Sequence, residues 1–271
     1  MSERPQSLSP EEIAAYRRDG YLVPRYRLEP ARVLQLRAAL DQLLADNPGV
    51  RPEQLISAHI RRGPENIVGN DTFFDFACDS AILDMVEQII GPDIILWGCQ
   101  MFCKPAGEGR PVPWHQDARY WPIRPPATVS VWVAIDDSTP ENGCLRVVPG
   151  SHTGRGAYRH RTDNSPELAL DLVIEDGEID LSTARNVVLS AGQMSLHDVY
   201  LVHGSNANRS PRRRAGLALR YMPTTSHFDR EMYPPRTLAN GLVVNYRDRP
   251  IWLLRGVDRS GRNDVTVGRE G

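Results

Sequence analysis

Residues 113–121 read PWHQDARYW, which sets an imidazole, His115, and a carboxylate, Asp117, two positions apart. Side chains at positions i and i+2 of an extended strand lie on the same face, so these two can reach one metal ion together. A third ligand must come from elsewhere, and the best candidate is His203 in LVHGS at residues 201–205. Two histidines and one carboxylate on one face of a metal, with open positions opposite, form the facial triad of non-haem Fe(II) oxygenases. Taken alone, a His-x-Asp pair is more often a surface or capping feature, so the surrounding sequence has to decide.

The composition is that of an ordinary globular protein. The chain has 271 residues, of which 41% are hydrophobic and 24% charged, and its formal net charge is −2. A sizeable core can form, and nucleic-acid binding is not expected. No apolar run of about 18 residues occurs and residues 1–5 lack the pattern of a signal peptide, so we expect no membrane span. The four cysteines form no CxxC pair, which disfavours a zinc cluster and predicts free thiols in a reduced, cytoplasmic protein. The sequence leaves the oligomeric state open.

Three segments in the first third of the chain predict helices. Residues 9–18 open with Ser-Pro-Glu-Glu, which supplies an N-cap, a proline at the first position and acidic residues in the first turn, and the helix should stop at Asp19-Gly20. Residues 29–45 keep apolar side chains at helical spacing, and residues 79–90 begin with a capping aspartate and precede a glycine. Residues 47–75 have weak periodicity and many Pro, Gly and Asn, which predicts a loop with a strand or two.

From residue 94 onward the chain reads as short strands separated by turn signals. Strands are predicted at residues 94–97, 99–102, 128–135, 145–148, 186–189, 194–196 and 215–222. This spacing is typical of an antiparallel sandwich or barrel, and helices followed by strands predict an α+β domain with its helices on one side. We therefore expect one domain over residues 1–271, with a helical part at about 8–91, a β core at about 94–225 and a C-terminal extension at about 226–271 that packs back on the domain.

Five short motifs follow one another in a fixed order. They are DGY at residues 19–21, FCKP at 102–105, WHQD at 114–117, NGCLRVVPGSH at 142–152, and HGS at 203–205 followed by Arg214. Together they resemble the phytanoyl-CoA dioxygenase family of Fe(II)/2-oxoglutarate-dependent oxygenases over roughly residues 8–225. The resemblance implies a double-stranded β-helix (jelly-roll) core with flanking helices. It also implies Fe(II), with 2-oxoglutarate and O₂ as co-substrates.

The resemblance also implies which residues hold these groups. His115, Asp117 and His203 would bind Fe(II). Arg214, eleven residues after His203, would bind the far carboxylate of 2-oxoglutarate, because a planar guanidinium pairs a carboxylate bidentately. His197 is the alternative to His203, but the His-Gly-Ser unit marks the ligand in the family, so we interpret His197 as a pocket residue.

Other arginines and polar residues compete for the co-substrate. The rivals of Arg214 are Arg212, Arg213 and Arg220. Strand alternation separates Arg213 from the face of Arg214 but leaves Arg212 on it. Secondary contacts to 2-oxoglutarate are predicted from Ser205, Thr128 and Trp132, for which sheet packing is an equally good interpretation.

Substrate-binding side chains are predicted on both sides of the metal motif. The candidates are Arg119, Tyr120, Trp121, His59, Arg61 and His197. Arginines in a pocket wall suit an anionic group, whereas packing or solvent exposure is the alternative for each of them. Family membership does not fix the substrate. Natural-product intermediates, amino acids, acyl-CoA thioesters and organophosphonates all stay open.

The expected reaction follows from the carboxylate of the triad. Halogenating members of this broad family lack it, so the resemblance implies hydroxylation by a chain that carries Asp117, with desaturation or ring formation as further outcomes. Two other functions are open at this point. One is a non-catalytic jelly-roll binding protein, and the other is a 2-oxoglutarate-independent metal enzyme on a cupin-like barrel.

Overall fold

A computed structural model describes residues 7–237 and 242–268 of the chain, and helices occupy the first part of it. In those ranges the α-helices are α1 (Pro10–Asp19), α2 (Pro30–Asp46), α3 (Asp71–Ala77) and α4 (Ser80–Ile90). The start of α1 is fixed by a capping box, in which the Ser9 hydroxyl accepts a hydrogen bond from the Glu12 amide at 3.2 Å and the Glu12 carboxylate accepts one from the Ser9 amide at 2.8 Å. Gly20, with φ of 79°, ends this helix. The predicted bounds of α1 are therefore confirmed.

Helix α3 corrects the prediction of a loop over residues 47–75. Its seven residues are too few to show a helical period, and a helix this short is held mainly by packing. The Asn70 side chain caps it by accepting a hydrogen bond from the Thr72 amide at 2.9 Å. Phe73 and Phe76 are buried in the core, and this tertiary contact is what the sequence pattern does not reveal.

Strands follow the helical part, with two exceptions that precede α3. They are β1 (Tyr21–Leu22), β2 (Leu55–Ile56), β3 (Ile94–Lys104), β4 (Val112–His115), β5 (Ile123–Arg124), β6 (Val129–Ala134), β7 (Leu145–Val147), β8 (His160–Thr162), β9 (Leu172–Ile174), β10 (Arg185–Val187), β11 (Met194–Asp198), β12 (His203–Ser205), β13 (Arg214–Pro223), β14 (His227–Phe228), β15 (Arg236–Thr237), β16 (Val243–Val244) and β17 (Trp252–Arg255). The two short runs predicted at 94–97 and 99–102 are one long strand, β3.

Two antiparallel sheets organise most of these strands. The larger has seven strands in the order β1-β11-β6-β13-β3-β17, with β2 also paired to β3. The smaller has four, in the order β10-β7-β12-β4. Strand β17 from the C-terminal extension pairs with β3, so this strand of the extension joins the larger sheet. The α+β class is thus as predicted, with helices first and antiparallel sheets after them.

The larger sheet separates the main core from a polar interior. On β13, Ala215, Leu217, Leu219 and Tyr221 belong to the buried cluster that also contains the apolar faces of the helices. Alternate side chains of the same strand point to the other side, as the period of two requires. The metal motifs are found on that other side, between the two sheets.

Two further features concern the cysteines and the helix lengths. All four cysteines are free thiols, and three of them are buried. Over residues 7–237 and 242–268, no helix combines the length and the apolar character that crossing a membrane requires.

Candidate metal and co-substrate site

The three predicted metal ligands converge. His115 ends β4, His203 begins β12, and these two residues are paired across the smaller sheet. One ligand atom from each of His115, Asp117 and His203 lies within 4.8 Å of the others, and all three residues are buried. The carboxylate oxygens of Asp117 are 3.6 Å from Nε2 of His115 and 4.0 Å from Nε2 of His203. Two imidazoles and a carboxylate at these separations fit a single divalent iron ion bound on one face.

The backbone path to Asp117 differs in one detail from the prediction. Strand β4 stops at His115, and Asp117 opens a short 3₁₀ helix, Asp117–Arg119. Gln116 between them stays extended, with φ of −120° and ψ of 130°. One extended residue is enough to keep the two side chains on the same side, although the strand does not continue through both.

Both imidazoles are oriented by the backbone. Nδ1 of His115 lies 2.8 Å from the Pro113 carbonyl oxygen, and Nδ1 of His203 lies 2.9 Å from that of Leu201. A carbonyl only accepts, so each Nδ1 carries the proton and each Nε2 presents a lone pair toward the centre. This is the tautomer that a metal needs, and it is set before any ion binds.

The protonation states also suit a metal. Burial, together with the neighbouring His115, lowers the pKa of His203 to about 3. Burial acts to raise the pKa of Asp117, but His203, His115 and His197 outweigh it and hold that pKa well below its usual range. A neutral His203 imidazole beside an ionised Asp117 carboxylate is ready to coordinate without first losing a proton.

His197 lies beside the triad on β11. Its Nε2 is 3.8 Å from an Asp117 oxygen, and its ring centre is 4.9 Å from that of His203. Although His203 Nε2 is slightly farther from Asp117, at 4.0 Å, the set whose ligand atoms all lie within 4.8 Å of one another is His115, Asp117 and His203. His197 thus lines the cavity next to the metal position, where the family pattern puts a pocket residue.

Arg214 is buried at the start of β13. Its Nη2 and Nε donate hydrogen bonds to the Gly143 carbonyl at 2.7 and 3.1 Å, and its guanidinium carbon lies 5.3 Å from the centre of the Trp132 ring. Burial lowers the pKa of Arg214 to about 10, so it stays a cation at neutral pH. Gly143 has φ of 78°, and a Cβ there would lie 2.4 Å from the Asn206 carbonyl oxygen. The glycine of the NGC motif therefore allows the turn that supplies the acceptor for Arg214.

Lys104 is a buried basic residue of this region, to which sequence reasoning gave no role beyond its place in the FCKP motif. It lies behind Ser205, whose hydroxyl accepts a hydrogen bond from Lys104 Nζ at 2.7 Å, and Nζ also donates to the Asn206 carbonyl. Burial lowers the pKa of Lys104 to about 6, helped by the charge of Arg214. A lysine that ends a long apolar strand was the available signal, because such residues are rarely buried without a purpose.

The rivals of Arg214 have other surroundings. Arg212 is exposed and precedes β13. Arg213 forms ion pairs with Asp136 at 2.9 Å and Asp41 at 3.1 Å. Arg220 lines the same cavity as Arg214, six residues further along the strand. Alternation does separate Arg213, but it does not bring Arg212 into the cavity, since the strand begins after it.

One cavity of about 340 Å³ joins the metal ligands to Arg214. Of the residues predicted for co-substrate or substrate, those that line it are Ser205, Trp132, Tyr120, Trp121 and His197. The others are elsewhere. Thr128 faces a separate cavity together with Tyr16 and Asp198, and Arg119 is exposed on the outer side of the 3₁₀ helix.

The two predicted residues of the 47–75 region also lie away from the cavity. His59 is buried with its ring 4.9 Å from that of Trp252 and 6.5 Å from that of Phe74. Arg61 is on the surface, where it is ion-paired with Asp71. The physical reason is local: the Gly69 and Asn70 amides donate hydrogen bonds to the Ile60 and Ala58 carbonyls at 3.0 and 2.8 Å, which folds this loop back against the start of α3.

The C-terminal extension contributes cavity residues that sequence reasoning missed. Tyr246 and Arg249 line the cavity. The Tyr246 hydroxyl donates to the Tyr120 carbonyl at 3.3 Å, and Arg249 Nε donates to the Glu65 carboxylate at 3.0 Å. Both contacts join segments far apart in the chain, so no local pattern predicts them.

The chain also matches known proteins over most of its length. Residues 16–216 match the sequence profile of phytanoyl-CoA dioxygenase (PhyH). The chain is 26% identical over 240 residues to an ectoine dioxygenase of Sphingopyxis alaskensis, covering 82% of this chain and 78% of that protein. Among solved structures, the apo form of the non-heme monooxygenase ThoJ has a TM-score of 0.71 at 26% identity, covering 92% of this chain and 85% of that one. CytC3 with Fe(II) and alpha-ketoglutarate has a TM-score of 0.65 at 26% identity, covering 95% and 92%.

These matches and the geometry agree on one chemistry. The profile spans well over half of the chain and includes all three converging ligands. A neighbour of the same overall structure binds the metal and the oxoacid that the site here fits. The chain therefore belongs to the phytanoyl-CoA dioxygenase family and is a dioxygenase that depends on Fe(II) and 2-oxoglutarate and uses O₂.

Proposed function

We propose that this enzyme hydroxylates an aliphatic carbon of a small anionic molecule. The balanced reaction takes a substrate C–H bond, 2-oxoglutarate and O₂ to the corresponding C–OH, succinate and CO₂. The observation that supports it is that one cavity is lined both by the buried set His115, Asp117 and His203 and by Arg214. Within residues 7–237 and 242–268, no carboxylate lies within 4.0 Å of the Arg214 guanidinium. That combination suits a metal, an oxoacid and one more small molecule at close range.

The metal would be held by His115, Asp117 and His203. When bound together with 2-oxoglutarate and O₂, Fe(II) supplies the oxidant that removes hydrogen from the substrate carbon. The residues of the chain fix where this happens, because both imidazoles are locked by backbone carbonyls. Asp117 supports hydroxylation over halogenation, since its carboxylate takes the position that a halide would need.

The co-substrate would be oriented by Arg214. Its guanidinium is already fixed by the Gly143 carbonyl and the face of Trp132, so little side-chain entropy is lost when a carboxylate binds. Ser205 is the second donor we assign to this carboxylate, and Lys104 behind it holds the hydroxyl in place. Trp132 would close one side of the oxoacid as an apolar wall.

The fold that we infer for this arrangement is a double-stranded β-helix. The larger sheet would form one wall, with Arg214, and the smaller sheet the other, with His115 and His203. Tyr120, Trp121 and His197 are the lining residues that we assign to the substrate side.

A turnover screen tests the proposal. Purified protein would be incubated with Fe(II), 2-oxoglutarate and O₂ together with L-proline, octanoyl-CoA or methylphosphonate, each in a separate reaction. We expect one chemical class to raise succinate formation well above the rate without substrate and to give a product heavier by one oxygen in mass spectrometry. Asp117→Ala is the control, and it should form neither.

Two results would contradict the proposal. One is a product that lacks the added oxygen, which would indicate desaturation or ring formation instead. The other is succinate formation that no anionic compound stimulates while neutral analogues do.

A further inference from the structure

Five arginines line the cavity, and they differ in whether a carboxylate neutralises them. They are Arg110, Arg214, Arg220, Arg236 and Arg249. Three of them have an acidic partner. Arg110 lies 4.0 Å from Glu53, Arg236 lies 3.4 Å from Asp171, and Arg249 donates to Glu65 at 3.0 Å. Over residues 7–237 and 242–268, Arg214 and Arg220 have no carboxylate within 4.0 Å. Arg214 and Arg220 are thus the two arginines of the cavity whose charge no described carboxylate neutralises.

Arg214 and Arg220 stand at different places along one strand. They are on the same face of β13, with Gly216 and Ala218 between them, and six residues of strand correspond to about 20 Å. Arg220 is paired in register with Ser130, which is paired with His197. Because His197 adjoins Asp117, Arg220 is level with the metal ligands, whereas Arg214 is at the far end of the strand. A single 2-oxoglutarate cannot use both.

The guanidinium of Arg220 is held so that its edge stays free. Three aromatic rings surround it, with centres 4.9 Å (Trp121), 5.6 Å (Trp97) and 5.9 Å (Phe102) from its central carbon. Gln100 accepts a hydrogen bond from Nη2 at 3.0 Å. Nε is buried and makes no hydrogen bond within the described part of the chain. Nη1 makes no hydrogen bond with the described residues and, unlike Nε, is not among the buried unpaired atoms, so Nη1 is the donor that a ligand in the cavity can reach. Aromatic rings stabilise the cation but accept no N–H bond in its plane.

The charge on Arg220 also needs compensation. Burial lowers the pKa of Arg220 and Asp117 partly offsets this, but a guanidinium remains protonated at any working pH. Asp117 is the carboxylate that the metal uses. An arginine in this position is stabilised most by an anion that binds beside it.

We infer that Arg220 binds a carboxylate of the substrate and thereby selects small carboxylic acids. This rests on the proposed function and adds the substrate class and the residue that recognises it. A carboxylate fits better than a phosphonate or phosphate for two reasons. It is planar, as is the guanidinium that would pair with it, and its single charge matches the one uncompensated cation on this side of the cavity.

Binding of propionate tests this assignment without turnover. The protein is loaded with Mn(II) and saturating 2-oxoglutarate in the absence of O₂, so that the co-substrate position is filled. Propionate, the neutral propionamide and methylphosphonate are then titrated separately by calorimetry. We expect propionate to bind wild-type protein and Arg220→Gln to bind it about 10- to 100-fold more weakly, as for loss of a charged hydrogen bond. The affinity for 2-oxoglutarate should change less than about twofold in that variant.

Two variants control for charge and for folding. Arg119→Gln removes an exposed arginine near the metal motif and should leave propionate binding as in wild type. Arg220→Lys keeps the charge but loses the planar fork, so it should bind propionate more weakly than wild type while folding normally. It decides the question if thermal melting shows that Arg220→Gln does not fold.

Several results would overturn the inference. Equal propionate binding by wild type, Arg220→Gln and Arg220→Lys would show that Arg220 is structural. If wild-type protein bound no propionate, or bound propionamide equally well, the substrate class would not be carboxylic acids. If it bound methylphosphonate alone, the substrate class would be phosphonates. Loss of 2-oxoglutarate affinity in Arg220→Gln would make Arg220 the co-substrate anchor. A wild type that took up neither Mn(II) nor 2-oxoglutarate would instead contradict the proposed function, and this inference with it.

Discussion

The two faces of the larger sheet carry side chains of opposite character on the same strands. On β13 the helix-facing residues include Leu217 and Leu219, fully buried in the main core. The cavity-facing residues include Arg214 and Arg220, which have no acidic partner in residues 7–237 and 242–268. Alternate residues of one strand thus pack in the main core or line the cavity, and the larger sheet separates these two regions.

The two faces of the sheet contribute differently to the free energy of folding. The helix face gains from apolar burial, roughly 25 cal/mol per Å² of surface removed from water. The cavity face buries polar atoms, including Ser130 Oγ, Ser195 Oγ and His197 Nδ1, that have no hydrogen-bond partner in the described residues. Such atoms are unfavourable in the empty protein and become useful only when a ligand or water meets them.

The largest effect is expected at the metal on the cavity face. Asp117→Ala should reduce succinate formation to background, because two imidazoles alone do not fix the ion. Folding stability should fall as well, because the low pKa of Asp117 means that its neighbours stabilise the ionised carboxylate in the folded protein, and alanine loses those contacts. Metal analysis and urea unfolding would measure both. If the variant still bound Fe(II) stoichiometrically, Asp117 would not be the third ligand, and His197 would be the next candidate.

A large loss of stability, with activity retained, is expected on the helix face. Leu217→Ala should lower the free energy of unfolding by about 2–5 kcal/mol, the range for a buried leucine truncated to alanine. Succinate formation per folded molecule should stay close to wild type at low temperature. Ala218→Gly on the opposite face is the matched control and should cost about 1 kcal/mol or less. Equal destabilisation by the two changes would show that the cavity face contributes to the core.

An intermediate effect is expected for the co-substrate. Arg214→Gln should raise the KM for 2-oxoglutarate about 10- to 100-fold, the loss expected for a charged hydrogen-bonded contact, while metal binding is kept. Arg212→Gln removes an exposed neighbour and should leave that KM unchanged. If the KM for 2-oxoglutarate were unchanged in the Arg214 variant, the co-substrate would be assigned to Arg220, further along β13.

The smallest effect concerns a polar side chain buried with the apolar face. Burial lowers the pKa of His59 to about 3 from the ordinary value of 6.5, and neither ring nitrogen has a hydrogen bond in the described residues. Above pH 6.5 both folded and unfolded protein hold the neutral ring. Between pH 6.5 and 3 only the unfolded state takes up the proton. The free energy of unfolding should therefore decrease as the pH is lowered through this range, by up to about 1.4 kcal/mol per pH unit.

His59→Phe removes this proton-linked loss and keeps an aromatic ring beside Trp252. Urea unfolding at pH 7 and pH 5 should show a smaller difference for the variant than for wild type. A pH dependence identical to that of wild type would mean that His59 is protonated, or paired, in the folded protein.

Much of the fold follows from local sequence signals. The capping box at Ser9 and the glycine after α1 define a helix because both act within one turn. The alternation over residues 215–222 predicts β13 because side chains of opposite character must point to opposite faces. Helix α3 escapes this reasoning, since Phe73 and Phe76 are helical only through what they pack against.

The candidate site divides in the same way. The resemblance names His115, Asp117, His203 and Arg214 from motifs that are contiguous in the chain. Lys104 and Arg249 are assigned no role there because their partners, Ser205 and Glu65, are about 100 residues or more away along the sequence. Arg119 and Thr128 are near the motifs in sequence but point away from the cavity.

The sequence by itself determined the chemistry of this protein, because ligand type, spacing and a capping or alternating pattern act over a few residues and are legible there. It named the candidate metal ligands and the candidate co-substrate arginine, and it predicted that helices come first and strands after them. Only the tertiary structure decided which of five arginines are already neutralised and which are left for a ligand, because that depends on carboxylates brought in by remote segments. Charge compensation in a closed space is a property of the folded chain, and it is what separates Arg220 from its neighbours.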